Sequence, residues 1–230
     1  MEVTGTRIAV AVDGPAGSGK SSVSRAAARE LGFDYQDTGA AYRALAWLAL
    51  NRGIDLDREA DILTLLPDFD YDIGVDPNHY FVRVGGTPVT REIRDPAVSA
   101  VVSRVARIPA VREHLTGLFR SRIADGTRPG IITEGRDITT IVAPDAAVRV
   151  LLTASAAART ARRAAELDVS STEAVGEQLS ARDAQDLAVV DFMNAAEGVT
   201  TLDSTDLDFD ETVAALVALI RAHPGSAALP

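Results

Sequence analysis

Two neighbouring runs near the N-terminus decide the fold: Ile8-Ala9-Val10-Ala11-Val12 and, one residue later, Gly14-Pro15-Ala16-Gly17-Ser18-Gly19-Lys20-Ser21. The apolar run predicts a short strand that is buried on both faces of a parallel sheet. The spacing of apolar residues from Lys20 to Leu31, with Gly32 as a stop, predicts a helix directly after the glycines. The chain therefore begins its fold as a strand, a glycine-rich loop and a helix.

The loop matches a nucleotide phosphate-binding pattern, in which two glycines five residues apart precede Lys and Ser. Glycines let successive backbone N–H groups point at a phosphate, and the helix beginning at Lys20 adds its positive end. We expect Lys20 to reach the β- and γ-phosphates, and Ser21 to place its hydroxyl on a Mg²⁺ ion that bridges phosphate oxygens. The predicted ATP-binding residues are Gly14, Pro15, Ala16, Gly17, Ser18, Gly19, Lys20, Ser21 and Ser22.

Basic residues sharpen this interpretation, because Lys20 is the only lysine among 23 basic residues and occupies the motif position that requires lysine. A dinucleotide-binding fingerprint fails, since Ser22 stands where that pattern needs glycine. A guanine-reading Asn-Lys-x-Asp motif is excluded, since it needs a second lysine. A small P-loop kinase and an ATP-dependent binding protein without transfer activity both remain open.

Composition predicts a globular protein, with 47% hydrophobic and 24% charged residues. The formal net charge of −10 argues against a general nucleic-acid or anionic-membrane binder, which needs a broad basic surface. The absence of cysteine excludes disulfides, thiolate catalysis and zinc–sulfur sites. No apolar stretch approaches the ~18 residues of a membrane span, so we expect a cytoplasmic protein.

Further along the chain, apolar pairs and helical patterns alternate, which predicts an α/β fold with a parallel sheet. Between residues 67 and 91 turn signals recur too closely for helices, and three short antiparallel strands with a turn at Gly85-Gly86 are predicted there. Two polar helices, joined by residues 168–170, predict a mobile lid. Residues 224–230 are predicted to fray. The predicted helices span 20–31, 40–51, 56–66, 96–107, 109–124, 159–167, 171–189 and 210–221, and the further strands cover 131–132, 148–152 and 199–202.

Four further motifs carry a family resemblance: Asp37-Thr38-Gly39-Ala40-Ala41-Tyr42-Arg43, Arg91-Glu92-Ile93-Arg94, Pro109-Ala110-Val111-Arg112 and Glu134-Gly135-Arg136-Asp137. With the phosphate loop, in this order and spacing, the chain resembles bacterial cytidylate kinases from about Ile8 to Ser204. The resemblance implies a three-layer P-loop kinase fold with a central parallel five-stranded sheet, an antiparallel insertion that binds the nucleoside monophosphate (NMP) and a short helical lid. It also implies transfer of the γ-phosphate of MgATP to CMP or dCMP.

The implied domain division has a core at 1–37, 92–154 and 187–230, an NMP-binding region at 38–91 and a lid at 155–186. The resemblance assigns catalytic roles to Lys20, Arg136, Arg159 and Arg163. It assigns substrate binding to Thr38, Tyr42, Arg43, Ser103, Arg112, Arg136, Asp137, Arg182 and Asp186. The implied metal contacts are Ser21, through the phosphates, and Glu134, through water. A monomer that acts on ATP, CMP and dCMP is implied as well.

The chemistry of cytosine explains why Arg112 and Asp137 are suited to bind it. Cytosine offers an exocyclic amine that needs an acceptor, and N3 and O2 atoms that need donors, which a carboxylate and a guanidinium supply together. Uracil presents the opposite pattern at its 4-position. The alternative enzyme is a kinase of another small acceptor, such as a different nucleoside monophosphate or shikimate. The Arg112–Asp137 pair is the feature that distinguishes a cytidylate kinase from it.

Some positions depart from the family pattern. Val189 stands where the family usually has an arginine, which predicts weaker binding of the acceptor. Thr38 replaces the commoner serine, and Glu134 the usual aspartate. Thr139 replaces a usual glycine after Gly135-Arg136-Asp137-Ile138, which we expect to alter that turn. His79, His114 and His223 lack the spacing of metal ligands or of a catalytic triad.

Overall fold

The structure is a computed structural model and describes residues 7–167 and 172–226, in which we number eight strands and eight α-helices. The strands are β1 Ile8–Asp13, β2 Asp34–Asp37, β3 Tyr71–Ile73, β4 Val82–Val84, β5 Thr87–Pro88, β6 Gly130–Gly135, β7 Val148–Thr153 and β8 Thr200–Asp203. The helices are α1 Lys20–Leu31, α2 Thr38–Asn51, α3 Glu59–Leu63, α4 Pro96–Ala106, α5 Pro109–Ala124, α6 Ala156–Leu167, α7 Thr172–Leu187 and α8 Phe209–Arg221.

The central sheet has five parallel strands in the order β2-β6-β1-β7-β8, which confirms the predicted fold class. β1 pairs with β6 from Ile8 opposite Gly130 to Asp13 opposite Gly135, so both strands end at the same edge of the sheet. The phosphate loop leaves β1 at this edge, and the Gly-Arg-Asp segment leaves β6 beside it. Parallel pairing thus brings together two motifs that lie more than a hundred residues apart in the chain.

The strand β2 was missed by the sequence reading, because its residues Asp34-Tyr35-Gln36-Asp37 contain no apolar run. All four are nevertheless buried, and polar partners compensate for their burial. Asp34 lies beside Arg7 and Arg128, Gln36 accepts a hydrogen bond from Thr133 at 3.1 Å, and Asp37 caps helix α2 by accepting from the N–H of Ala40 at 2.9 Å. A polar strand can therefore lie at the sheet edge.

Two hydrophobic clusters cover the two faces of the sheet. On one face α1 and α8 pack over β1 and β7, with Val10, Val150 and Leu216 in the cluster. On the other face α2, α4 and α5 pack together with the insertion, around Leu45, Leu115 and similar residues. Helices on both faces of a parallel sheet make the three layers that were predicted.

The insertion contains the three predicted antiparallel strands, in the order β3-β4-β5. Gly85 and Gly86 form the predicted turn, with φ of 54° and 75° that favour glycine. The insertion does not hang free of the core: Arg25 of α1 donates to the carbonyl of Pro77 at 2.7 Å, and the N–H of Tyr35 donates to the carbonyl of Val75 at 2.8 Å. Its tip is therefore anchored beside the phosphate loop.

The two predicted lid helices are present as α6 and α7, and their joint at 168–170 lies outside the described residues. They pack on the phosphate loop through a small cluster of Ala16, Ala164, Val175 and Leu179. The segment predicted as a helix over 56–66 is only partly helical, with α3 followed by a 3₁₀ turn at Leu66–Asp68. In the tail that was predicted to fray, Pro224–Ser226 forms a 3₁₀ turn and residues 227–230 lie outside the description.

No helix in the described ranges is both long and apolar enough to cross a membrane.

Candidate functional site

A cavity of about 780 Å³ opens at the edge where β1, β2 and β6 end. The phosphate loop, α1, α2, α4, α7 and the Gly-Arg-Asp segment beside the phosphate loop line this cavity. Most of the predicted site residues line it: Ala16, Gly17, Gly19, Lys20, Ser21, Ser22, Thr38, Tyr42, Arg43, Ser103, Arg112, Glu134, Arg136, Asp137, Arg163, Arg182 and Asp186. The structure thus brings residues of six predicted segments to one place.

The phosphate loop has the backbone shape that its glycines predict. Gly17 and Gly19 have φ of 76° and 86°, which L residues with side chains rarely adopt. A Cβ atom on Gly14 would lie 2.1 Å from the carbonyl oxygen of Leu152, so only glycine fits there. Three of the predicted loop residues, Gly14, Pro15 and Ser18, do not line the cavity. The loop therefore fits a phosphate cradle at the start of α1.

Lys20 sits in this loop with its ammonium donating to the carbonyl of Pro15 at 3.1 Å. Burial, followed by repulsion from Arg136, lowers the pKa of Lys20 to about 7, although Glu134 favours its charged form. A cation that is held where its charge is disfavoured gains most from an incoming anion. This electrostatic state fits a site for the charged end of a nucleotide.

Ser21 and Glu134 form the position that was predicted for the metal. The Ser21 hydroxyl donates to Glu134 Oε1 at 2.6 Å, and the Tyr35 hydroxyl donates to the same oxygen at 3.3 Å. Burial and the neighbouring Asp37 raise the pKa of Glu134. A hydroxyl and a carboxylate are hard oxygen ligands of the kind that Mg²⁺ takes, so this donor set fits such an ion together with phosphates and water.

Arg43 is held by Asp37 at the end of β2, with Nη2 donating to Oδ2 at 2.8 Å. Burial alone would raise the pKa of Asp37, but Arg43 and Arg94 outweigh it and leave that pKa below its usual value. The Tyr80 hydroxyl donates to the same carboxylate oxygen at 3.3 Å. A residue of the insertion thus helps to orient a predicted acceptor ligand.

Three arginines, Arg43, Arg136 and Arg182, line the same cavity as Lys20. Arg136 donates from Nη1 to the carbonyl of Gly14 at 2.6 Å and from Nε to Asp186 at 3.1 Å. Burial, followed by repulsion from Arg136 and Arg43, lowers the pKa of Arg182 to about 10. The buried Nε atoms of Arg43 and Arg182 have no hydrogen-bond partner within the described residues. Crowded guanidinium groups with unused donors are the signature of an anion site.

The predicted base-reading pair is formed. Arg112 Nη2 donates to Asp137 Oδ2, and both side chains line the cavity beside Tyr42. Burial raises the pKa of Asp137, and Arg112 opposes that rise. Thr38, buried next to them, donates its hydroxyl to the carbonyl of Glu134 at 2.8 Å. The pair offers one carboxylate and one guanidinium to a ligand from a fixed position.

Three of the residues that the resemblance assigns to substrate binding, Ser103, Arg182 and Asp186, lie where α4 faces α7. Ser103 donates to Gln185 Oε1 at 2.6 Å, while Arg182 Nε lies 4.0 Å from Asp186 Oδ2. Gln185 also lines the cavity, although the sequence reading did not single it out. A hydroxyl, an amide and a carboxylate here can exchange hydrogen bonds with sugar hydroxyls.

The arginines of α6 differ in placement. Arg163 lines the cavity. Arg159 is 8% exposed and does not line it; its Nη1 donates to the carbonyl of Ala16 at 2.9 Å and to Asp183 at 2.5 Å. Asp183 in turn accepts from the N–H of Ala16 at 2.9 Å. In this structure Arg159 ties the lid helices to the phosphate loop, and its catalytic role stays a prediction.

Besides Gln185, four residues at or next to the site escaped the sequence reading: Asp13, Tyr35, Tyr80 and Asp183. Asp13 has a usable signal, because a carboxylate that ends an apolar strand at the phosphate loop must find partners once it is buried. Tyr35 and Tyr80 carry no spacing signal, since one lies in the missed strand and the other in the insertion. Asp183 follows the predicted ligand Arg182 but faces the phosphate loop instead of the cavity.

Comparison with known proteins agrees with this geometry. The sequence profile of the family described as Cytidylate kinase matches residues 10–222. A cytidylate kinase of Cutibacterium acnes is 45% identical over 215 residues, 93% of this chain and 96% of that one. A cytidylate kinase of Streptomyces avermitilis is 39% identical over 215 residues, 93% of each chain. A solved structure of an uncharacterized protein from Eubacterium ventriosum aligns with a TM-score of 0.53 at 10% identity, over 94% of this chain and 99% of that one, which concerns the fold alone.

Proposed function

The chain belongs to the cytidylate kinase family, and from this premise we propose that it transfers the γ-phosphate of MgATP to CMP or dCMP, giving CDP or dCDP and ADP. One observation carries the proposal. A phosphate loop whose buried Lys20 has a lowered pKa opens on the same cavity as Arg43, Arg136 and Arg182, and the Arg112–Asp137 pair lines that cavity too. The reaction needs two sites that bind anionic phosphates and one site that binds the base.

On the donor side, the loop N–H groups and the start of α1 bind the phosphates of ATP, and Lys20 binds the end that is transferred. Ser21 and Glu134 would hold Mg²⁺, Ser21 through its hydroxyl and Glu134 through water. When bound, Mg²⁺ neutralises part of the phosphate charge and orients the phosphate oxygens. The hydrogen bond between Ser21 and Glu134 holds both groups ready for that arrangement.

On the acceptor side, Arg43, Arg136 and Arg182 bind the acceptor phosphate. The arginine fork matches phosphate oxygens better than an ammonium group does, and the unused Nε donors of Arg43 and Arg182 support this role. Asp37 and Asp186 hold two of these guanidinium groups in place before the substrate arrives. Less conformational entropy of the arginine side chains is then lost when the acceptor binds.

The base and the sugar are bound by separate groups. Asp137 accepts from the exocyclic amine of cytosine, Arg112 donates to N3 and O2, and Thr38 and Tyr42 flank them. Ser103 and Asp186 bind the ribose. Uracil would place a carbonyl against Asp137 and leave a buried acceptor without a donor, so UMP should react poorly.

An oxygen of the acceptor phosphate attacks the γ-phosphorus in line with the departing ADP, and no covalent enzyme intermediate forms. Such a transfer asks the protein for position and charge rather than for a nucleophile. Lys20 and Arg136 both line the cavity at the phosphate loop and would stabilise the charge on the moving phosphoryl group. Arg163 joins them from α6, and Arg159 does so if it leaves Asp183.

The division of labour follows the implied domains, with a core at 1–37, 92–154 and 187–230, an NMP-binding region at 38–91 and a lid at 155–186. The protein would work as a cytoplasmic monomer on small nucleotides alone. Its net charge of −10 supports small anions in an arginine-lined cavity over a nucleic-acid partner.

The test is a coupled assay of ADP release with MgATP and CMP, dCMP, UMP, AMP, GMP or shikimate, with the products identified by chromatography. CDP and dCDP should be the main products. Another phosphorylated acceptor would overturn the assignment of Arg112 and Asp137, and ATP binding without any product would favour an ATP-dependent binding protein. Lys20→Ala should lose most of the transfer while it stays folded.

A further inference from the structure

Asp13 is a buried carboxylate that the proposed mechanism does not use. It is the last residue of β1, directly before Gly14 of the phosphate loop, and it is 3% exposed. Its Oδ1 accepts from the N–H of Ile138 at 2.8 Å, and its Oδ2 accepts from the N–H of Thr139 at 2.8 Å. These are the first two N–H groups of a π-helical turn at Ile138–Val142. Asp13 therefore caps a turn that lies 125 residues further along the chain.

Thr139 adds a third hydrogen bond, with its hydroxyl donating to Asp13 Oδ2 at 2.6 Å. Thr139 is 4% exposed, so this bond is shielded from water. Burial raises the pKa of Asp13, whereas the hydroxyl and the two N–H groups oppose that rise. A buried carboxylate with three donors is held at its position more firmly than one with a single partner.

A fourth bond closes the same contact from the other side, because Arg136 Nη1 donates to the carbonyl of Gly14 at 2.6 Å. Residues 13–14 are thereby joined to residues 136–139 at both ends. We call this set of four hydrogen bonds the clasp. Between its two ends lies Asp137, the proposed acceptor of the cytosine amine.

We propose that Asp13 and Thr139 are positioning residues, which hold Arg136 and Asp137 at a fixed distance from the phosphate loop and so set acceptor affinity. This inference rests on the proposed function. Neither residue lines the cavity. Thr139 stands where the family usually has glycine, so its hydroxyl contributes a bond that a glycine does not make.

A loosened clasp would act on the two substrates differently. The phosphate loop keeps its shape from its glycines and from Asp183, so ATP binding would change little. Arg136 and Asp137 would sample more positions, and the acceptor would have to order them on binding. The effect should therefore appear in the KM for the acceptor rather than in the KM for MgATP.

The experiment compares Thr139→Val, which removes the hydroxyl at nearly constant volume, with Thr139→Ser, which retains it. Thr139→Val should raise the KM for CMP about three- to tenfold and leave the KM for MgATP within about twofold of wild type. Thr139→Ser should leave the KM for CMP close to the wild-type value. Asp13→Asn, which turns an amide N–H towards the backbone N–H groups of the turn, should raise it further.

Thr212→Val is the matched control. Thr212 is 2% exposed, its hydroxyl donates to the carbonyl of Asp208 at 2.6 Å at the start of α8, and neither residue lines the cavity. It should lower the free energy of unfolding as Thr139→Val does, with both KM values unchanged. An unchanged KM for CMP in Thr139→Val, or an equal rise of both KM values, would overturn the proposal.

Wild-type turnover judges the proposed function by itself. The role of the clasp is tested by comparing the acceptor KM of Thr139→Val and Thr139→Ser with that of the wild type, using whichever acceptor the wild-type protein phosphorylates. Failure of the cytidylate kinase assignment is therefore distinct from failure of the clasp.

Discussion

At the scale of single residues, Lys20 has a lowered pKa that an anionic ligand would raise again. Burial and Arg136 hold the pKa of Lys20 at about 7, against the ordinary lysine value of ~10.4. Near pH 8 the free protein therefore holds Lys20 mostly uncharged, and the phosphates of ATP should recharge it. Nucleotide binding and proton uptake are linked at this one atom.

We expect calorimetry with Mg²⁺ and a non-hydrolysable ATP analogue to show uptake of most of one proton at pH 8 and little at pH 6, with affinity falling as pH rises above 7. Buffers of different ionisation enthalpy separate the proton from the binding heat. Lys20→Arg keeps its charge throughout and should take up no proton at pH 8. Equal uptake by that variant would assign the proton elsewhere.

At the scale of elements, the insertion contributes to the proposed acceptor site although it lies outside the central sheet. Its tip is fastened to α1 by Arg25 and Arg29, which both donate to the carbonyl of Pro77. From there Tyr80 reaches Asp37, and Asp37 holds Arg43. The insertion and an acceptor ligand are thus joined by one short chain of hydrogen bonds.

Tyr80→Phe removes only the hydroxyl of this chain, and we expect the KM for CMP to rise about threefold with the KM for MgATP unchanged. Tyr71→Phe is the matched control, since the buried Tyr71 hydroxyl has no hydrogen-bond partner among the described residues. Kinetics with each substrate varied in turn would measure both. An equal response of the two variants would show that the Tyr80 hydroxyl does not act on the site.

The turn that follows α7 carries Val189, which departs from the pattern of the resembled family. Val189 is 38% exposed and lines the cavity with Arg182 and Asp186. An arginine there would add a guanidinium to the acceptor side, so Val189→Arg should lower the KM for CMP severalfold. Leu187→Arg, at an exposed position that does not line the cavity, adds the same charge as a control. A KM for CMP that stays at the wild-type value in Val189→Arg would mean that this departure does not weaken acceptor binding.

At the scale of the whole molecule, the two hydrophobic clusters share one sheet, so they should unfold together. Leu115 lies in one cluster and Leu216 in the other, and both are fully buried. Substitution of either by Ala should lower the free energy of unfolding by about 2–5 kcal/mol and leave a single transition.

Urea titrations followed by the fluorescence of Trp47, the one tryptophan, and by far-UV circular dichroism should coincide in each variant. Leu50→Ala, at an exposed position, should change the free energy of unfolding by less than about 0.5 kcal/mol. Separate transitions for the two probes would show instead that the two faces of the sheet unfold independently.

The sequence by itself determined the phosphate loop and the order of the main helices, and the residues that its resemblance proposes for the acceptor all line the cavity. These features are local: glycines five residues apart, a helical period and short motifs can each be read within a few neighbouring residues. Their common location follows from parallel pairing, which brings the ends of β1, β2 and β6 to one edge.

Only the tertiary structure decided the contacts that hold the site together. The polar strand β2 has no apolar period, because ion pairs and hydrogen bonds rather than apolar burial secure it. Asp13 meets Thr139 across 126 residues, and Asp183 meets Ala16 across 167. A hydrogen bond between such distant residues leaves no periodicity in the chain, since its partners become neighbours only after the sheet and the helices have packed.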